Sequence, residues 1–284
     1  MKKFNPETKL GKDLSDEEKI NYHLDYIENK SVLGIDIYKY SEYPEIAQVY
    51  VPVLFNSLYR ITVQNCIKSE NYFFGDYAKN ENEFKEKFIS TGDGGFQIFD
   101  NPMQSIIFAS YFQLNVVRFN SNSFTAKLNN NLFDIIGRIE LRYATTFDKI
   151  YSYDKNFFGP AIINNARILS KDNLNRFLID FPTIKWFNEH INTIENLLVI
   201  SKEDLAKIKY FNKHPKAQSL LFDDAENRRI VSLDILKIGV IKSKNTVLEI
   251  YNLKIQINLR AITSSKDYPR YLITLGNLNT QGIE

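Results

Sequence analysis

A single cysteine, Cys66, among 284 residues excludes an internal disulfide framework and any cysteine-based metal cluster. It lies in an apolar helical stretch, where a lone thiol reads as a small buried hydrophobe. Three histidines, His23, His190 and His214, are far apart and lack metal-ligand spacing, so surface or partner contacts are expected of them. No charge-free run reaches the roughly 20 apolar residues of a membrane span; Ile46–Tyr59 and Asn101–Val117 come nearest, contain Asn or Gln, and read as amphipathic helices. The first 13 residues have no apolar leader core, so the expectation is a cytoplasmic protein. Lys and Arg number 36 against 34 Asp and Glu, a net charge of +2. That balance removes the electrostatic footprint of a nucleic-acid binder, and it outweighs the Lys149–Lys155 stretch, where tyrosines stand beside lysines.

What is present is an ordinary globular composition, 44% hydrophobic and 25% charged. A chain of this length buries about three quarters of its unfolded surface. Residues 1–14 are polar. Ser15 to Glu18 has the form of a capping box and predicts a helix ending near Lys30, with Ile20, Leu24 and Ile27 on one face. Ser31–Tyr38 reads as a buried strand interrupted by one acid, Asp36. Pro44 opens a long helix to about Ile67, with Ala47, Tyr50, Leu54, Leu58 and Ile61 as its stripe. Residues 69–83 show no period and read as an insertion loop. Phe84–Thr91 and Gly95–Asp100 read as strands joined by Gly92-Asp93-Gly94, a hairpin signal. Asn101-Pro102 starts another helix.

Further on, Asn129–Asn131 reads as a loop, Phe133–Tyr143 as a strand, and Lys149–Tyr153 as a shorter one. Gly159-Pro160 begins a helix to about Leu169, and Arg176–Asp180 is a strand followed by Trp186, a core or lid aromatic. A Ser201-capped helix and strands near 229–240, 247–257 and 270–275 complete the chain. The alternation fits an α/β or α+β sandwich with a central, largely antiparallel sheet and no internal repeats.

Two acids stand out. Asp36 ends one strand, and Asp93 sits at a hairpin tip between glycines. In a βαββ unit the first strand and the hairpin are sheet neighbours, so both carboxylates would face one pocket. Adjacent carboxylates repel unless a cation neutralises them. An oxygen-only site of this kind suits Mg²⁺ or Mn²⁺ bound jointly with substrate phosphates, and the glycines allow a nucleotide to approach the backbone. A good turn is the alternative reading of Gly92-Asp93-Gly94. Arg167 stands among apolar residues of the helix after Gly159, which asks for an acid or phosphate partner. Asn164 lies about 60° from it on the helical wheel, so both can point into one site.

Five blocks in order resemble the class III nucleotidyl cyclases. They are Gly34–Ser41, Phe88–Phe99, Arg138–Ala144, Gly159–Leu169 and Lys242–Leu253, spanning roughly residues 31–253. The resemblance implies a ferredoxin-like cyclase domain over 31–260, preceded by a tail and helix over 1–30 and followed by a tail or strand over 261–284. It implies that Asp36 and Asp93 hold two Mg²⁺ or Mn²⁺ ions with the Ile37 carbonyl as a further ligand. Tyr38, Lys39 and Tyr40 would cradle phosphate oxygens, Arg167 would bind the α-phosphate, and Lys242, or Lys244, the triphosphate. The ribose 3′-hydroxyl would attack the α-phosphate. The metal acids and Arg167 would come from different subunits of a homodimer.

Two departures matter. The family's catalytic Asn falls on Ile163, leaving Asn164 one residue late as the candidate. The base-reading pair falls on Ile89 and Asn156, where an aliphatic side chain makes no purine hydrogen bond and Asn offers a donor and an acceptor. With the compact build and the 69–83 insertion, this looks like the bacterial pyrimidine cyclases of Pycsar-type antiphage defence. That subgroup makes cyclic UMP or cyclic CMP, which a separate effector protein reads. An adenylyl or guanylyl cyclase, a polymerase-like palm, or a non-catalytic nucleotide-binding module are the alternatives.

Overall fold

β1 (Tyr26–Ile37) is the strand around which the molecule is arranged, because helices cover both of its faces. The computed structural model describes residues 26–122, 127–153, 155–200, 204–205, 219, 221–222, 229–243, 246–260 and 270–283. After β1 come α1 (Glu45–Ser69), the short α2 (Asn71–Phe74), α3 (Glu81–Glu86), β2 (Phe88–Ser90), β3 (Gly94–Phe99), α4 (Pro102–Asn120) and α5 (Lys127–Ile136). The second half holds β4 (Leu141–Tyr153), β5 (Asn156–Phe158), α6 (Pro160–Lys171), β6 (Phe177–Asp180), α7 (Phe181–Ile191), β7 (Ile230–Ser243), β8 (Thr246–Arg260) and β9 (Arg270–Leu275).

The sheet order is β2-β3-β1-β4-β6-β8-β7, with β5 added on β4 and β9 on β8. Every pairing is antiparallel except β4 with β6. Within it β1-α1-β2-β3-α4-β4 is a βαββαβ unit with spatial order β2-β3-β1-β4, the ferredoxin-like arrangement. The protein is α+β, a mainly antiparallel sheet flanked by helices, as the sequence predicts.

Period-two alternation along β1 divides the core. Leu33, Ile35 and Ile37 join the large cluster built with α1 and α4. There Phe55, Tyr59, Phe84, Phe99, Phe108 and Phe112 pack ring against ring at centroid distances of 5.3–5.8 Å for the pairs Phe55–Phe112, Tyr59–Phe108, Phe84–Phe99, Phe84–Phe108 and Phe99–Phe108. Cys66 is fully buried in the same cluster. Val32 faces the other way and packs with Ile98, Ile150 and Ala161 of α6. Asn165 fastens α6 down: its Nδ2 donates to the carbonyls of Val32 at 2.8 Å and Ala144 at 2.9 Å. Gly34 makes this fit possible, since a Cβ there would stand 2.1 Å from Asn165 Oδ1.

Several local expectations change. Tyr26–Lys30 continue β1 instead of ending a helix, because they pair with Asp148–Ser152 of β4 and that ladder overrides the helical period. The earlier part of that helix and most of the Ser201 helix fall outside the described residues. Residues 69–83 are not a loop: they form α2, a 3₁₀ turn over Gly75–Ala78 and the start of α3, each shorter than the repeat that reveals a helix. Their aromatics Tyr72, Phe73, Phe74 and Tyr77 are buried. Phe84–Glu86 belong to α3, capped by Asn80, which accepts from Glu83 N at 3.3 Å. The Asn129–Asn131 run and Phe133–Ile136 are helical, and Gly137, at φ 75°, ends α5 before β4 begins. Lys149–Tyr153 is the second half of β4. Tyr50 lies outside the buried face of α1. Trp186 is a core residue of α7, a helix not expected from the sequence.

Asp180 caps α7, accepting from Thr183 N at 2.9 Å, and also accepts from Phe147 N at 3.3 Å. Burial pushes its carboxyl up to about 7 despite these hydrogen bonds. The folded chain therefore keeps this proton where the unfolded chain has lost it, and stability falls as pH rises from about 4 to about 7, then levels off. Asp180→Asn keeps an acceptor oxygen but does not titrate. Chemical denaturation across that range should show the decline in the native protein and a flatter profile in the variant; equal slopes would contradict the assignment.

Candidate active site

The β2–β3 hairpin delivers Asp93 to the end of β1. Thr91 N donates to the Gly94 carbonyl at 3.1 Å, closing the turn, and Ile37 N donates to the Asp93 carbonyl at 3.3 Å. Gly94 pairs directly with Asp36. A Cβ at Gly94 would lie 2.2 Å from the Ile35 carbonyl, so only glycine allows this approach. On the other side of β1, Arg142 of β4 is the direct partner of Asp36. The row Gly94-Asp36-Arg142 therefore crosses three strands on the α6 side of the sheet.

Arg142 Nε donates to Asp36 Oδ2, and its Nη1 donates to the Asp172 carbonyl at 2.7 Å. Burial raises the Asp36 carboxyl above the usual range; Arg142 pulls it down, and the Asp93 carboxyl, within hydrogen-bonding reach, pushes it up again. Two carboxylates sharing one place create demand for a cation, and a guanidinium already stands there. The donor set thus fits a hard divalent cation. Among the described residues no three His, Cys, Asp or Glu side chains come together, so the acidic pair needs a backbone carbonyl, substrate oxygens or water to complete a shell.

Beyond Ile37 the chain turns at Lys39, in the left-handed region at φ 58°. Tyr38 N donates to the Glu140 carbonyl at 2.9 Å, so this amide is not free to cradle a phosphate as expected. Those of Lys39 and Tyr40 make no hydrogen bond among the described residues. Lys39 Nζ pairs with Glu42 at 3.0 Å and Tyr38 Oη donates to the Asn173 carbonyl at 3.1 Å. A cleft of about 730 Å³ opens beside this turn, between Tyr38, Lys39 and Glu42 on one side and Arg138 and Glu140 on the other.

Arg167 Nη1 donates to Asn164 Oδ1 at 3.3 Å, so the two share a face of α6 as the wheel requires. Asn164 is buried, whereas Ile163 is 49% exposed. Ile89 is half-buried against Val32, Ile98, Ile150 and Ala161, and Phe157, next to the exposed Asn156, packs on the same cluster. Lys242 is exposed on the edge strand β7, paired with Val247. Four strand spacings, roughly 19 Å, separate β7 from β1. The registers Ile250–Asp180, Ile179–Thr145 and Thr145–Leu33 also carry Lys242 toward the opposite end of the sheet from Asp36. One chain gathers Asp36, Asp93 and the Ile37 backbone, pairs Asn164 with Arg167, and leaves Lys242 apart.

Sequence reasoning missed Arg142, Asp172 and Arg176. Asp172 follows α6, and its carboxylate accepts from Arg176 Nη2 at 2.6 Å and Nε at 3.1 Å, with both side chains 2% exposed. Arg176 Nη1 reaches the Gln281 carbonyl at 2.6 Å and that of Asn279 at 3.2 Å. The signal was an acid and an arginine four apart before a buried strand.

No family model matches the sequence, and no curated protein matches it. Solved structures with similar folds include an adenylate/guanylate cyclase/hydrolase from Silicibacter pomeroyi, at 13% identity over 80% of this chain and 96% of that one, TM-score 0.43. Others are the guanylyl cyclase Cya2, at 10% identity over 86% and 97% with TM-score 0.42, and the adenylyl cyclase CyaB from P. aeruginosa, at 12% over 85% and 98% with TM-score 0.39. Among the described residues no helix is long and apolar enough to cross a membrane.

Breaking a fully buried ion pair from one side strands the other charge and costs about 3–5 kcal/mol. Arg176→Ala should lose stability of that order in urea denaturation; a loss under 1 kcal/mol would mean that Asp172 is solvated or neutral.

Proposed function

We propose that this chain is a nucleotide cyclase, which converts a nucleoside triphosphate to its 3′,5′-cyclic nucleotide and pyrophosphate. The observation that carries the reading is the Asp36–Asp93 pair, brought together across Gly94 and compensated by a guanidinium. Asp36, Asp93 and the Ile37 carbonyl would hold Mg²⁺ or Mn²⁺, which when bound neutralises phosphate charge and acidifies a coordinated hydroxyl. The amides of Lys39 and Tyr40 would receive phosphate oxygens. Arg167, oriented by Asn164, would meet the charge that develops on the α-phosphate. The 3′-oxygen bonds to that phosphorus, the bond to the β-phosphate breaks, and the hydroxyl proton leaves with solvent or pyrophosphate.

Because Lys242 stands across the sheet from Asp36, the triphosphate contact, and with it Arg167, is supplied in this reading by a second copy, in a homodimer with two shared sites. The base is a pyrimidine, UTP or CTP: Ile89 belongs to an apolar cluster and offers no hydrogen bond, while Asn156 is exposed with both a donor and an acceptor. The cyclic product would act as a second messenger read by a separate effector, in a role such as antiphage defence. Adenylyl or guanylyl cyclase activity remains the alternative within this chemistry. A non-catalytic nucleotide-binding module is a second reading, favoured by the exposed Ile163 at the position where the family carries its Asn.

Incubation with each of the four nucleoside triphosphates and Mn²⁺ should yield cyclic product from UTP or CTP, and Asp93→Asn should reduce the rate on the order of 10² or more. No product from any of the four with folded dimer refutes the cyclase, and binding without turnover then supports the module. Product from ATP alone refutes the pyrimidine assignment. The shared site has its own test. Asp36→Asn mixed with Arg167→Ala should recover roughly one quarter of native activity, since half the dimers are mixed and each has one intact site. No recovery despite subunit exchange would put the site within one chain.

A further inference from the structure

Arg142 compensates the acidic pair but has been given no role in metal binding, although its guanidinium is hydrogen-bonded to Asp36. We propose that Arg142 is a fixed cation of the site, which holds one oxygen of Asp36 so that the carboxylate pair takes one divalent ion instead of two. This rests on the cyclase reading and changes its expected metal content.

The guanidinium is not a loose surface group that an arriving ion would displace. Its Nε is on Asp36 Oδ2 while Nη1 is on the Asp172 carbonyl, so moving it breaks both contacts. The Asp172 carbonyl is itself held in place from several sides. Asp172 N donates to the Ile168 carbonyl at 3.1 Å as α6 ends, and the Asp172 carboxylate is locked to the buried Arg176. Arg176 in turn is tied to the carbonyls of Asn279 and Gln281. The 277–279 segment is held by Asn252 Nδ2, at 2.7 Å from the Asn277 carbonyl and 3.2 Å from that of Asn279. The buttress thus runs from β8 through the 277–281 strap and α6 to Arg142.

The opposite flank of Asp36 is built the other way. Its neighbour there is Gly94, with no side chain, and beyond it Asp93. With Oδ2 taken by Arg142 and the Asp93 carboxyl close to that of Asp36, one divalent ion would be held between the two acids. A second ion on Oδ2 would stand beside a guanidinium that cannot lose its proton or withdraw. In this arrangement the arginine supplies one positive charge of the site permanently, and two more arrive with the ion.

The test uses the full chain with saturating Mn²⁺ and each α,β-methylene nucleoside triphosphate in turn. It reads bound ions per chain by equilibrium dialysis and spin coupling between ions by frozen-solution EPR. The native protein should hold one ion per site with no coupled pair. Arg142→Gln should hold two with a coupled spectrum, and Arg142→Lys, which keeps the charge, should stay at one. Thermal melts of both variants report folding; if Arg142→Gln does not fold, the native and Arg142→Lys spectra still decide. A coupled pair in the native protein, or a single ion in folded Arg142→Gln, overturns the fixed-cation role and leaves the cyclase reading standing. No bound ion in any variant overturns both.

Discussion

The antiparallel pairing of β1 with β4, register-locked from Tyr26–Ser152 to Ile37–Leu141, is the constraint on which the molecule rests. It makes β1 central, so one strand must satisfy two cores. Leu33, Ile35 and Ile37 serve the aromatic layer under α1 and α4, and Val32 and Gly34 serve the thinner layer under α6. A slip of one residue would exchange the two sets and push Asp36 into the aromatic core. The same register sets Asp36 opposite Arg142, and the β1–β3 register sets it beside Gly94, so the placement of the acid follows from the packing of the strand.

The two faces use polar groups differently. The α1/α4 face is filled by rings, with buried polar groups paired among them: Gln97 Oε1 accepts from Tyr59 Oη at 2.6 Å and Asn115 Nδ2 donates to Thr62 Oγ1 at 2.9 Å. On the α6 face the polar groups fasten helix to sheet: Asn165 to two strand carbonyls, and Thr146 Oγ1 to the Ala161 carbonyl at 2.8 Å. Hydrogen bonds of this kind fix one helix position, where an apolar contact would permit sliding. Chemistry placed on that face inherits a rigid frame, which is what positioning acids and an arginine requires.

Much of this frame was legible in the sequence. The βαββ order, the hairpin at Gly92-Asp93-Gly94 and the helix after Gly159 each have strong local signals, and together they predicted the meeting of Asp36 and Asp93. What escaped was non-local. Tyr26–Lys30 carry a helical pattern that a neighbouring strand overrides. Residues 71–86 fold as short turns because buried aromatics, not periodicity, hold them. Arg142 finds Asp36 106 residues away and Arg176 finds the Gln281 carbonyl 105 residues away, and no spacing rule links such positions.

Those separations bear on how the molecule assembles. Asp172 and Arg176 meet early, being four residues apart, but Arg176 cannot be buried with its donors satisfied until the carbonyls of Asn279 and Gln281 arrive. β6, beside them, lies between β4 and β8, so its second edge is paired only once the chain has reached β8. Closing long loops before their contacts reward it is the slow part of folding. A nascent chain that has made α1 through α6 still lacks the carbonyls of Asn279 and Gln281, and so cannot yet hold Arg176, Asp172 and Arg142 as the complete fold does.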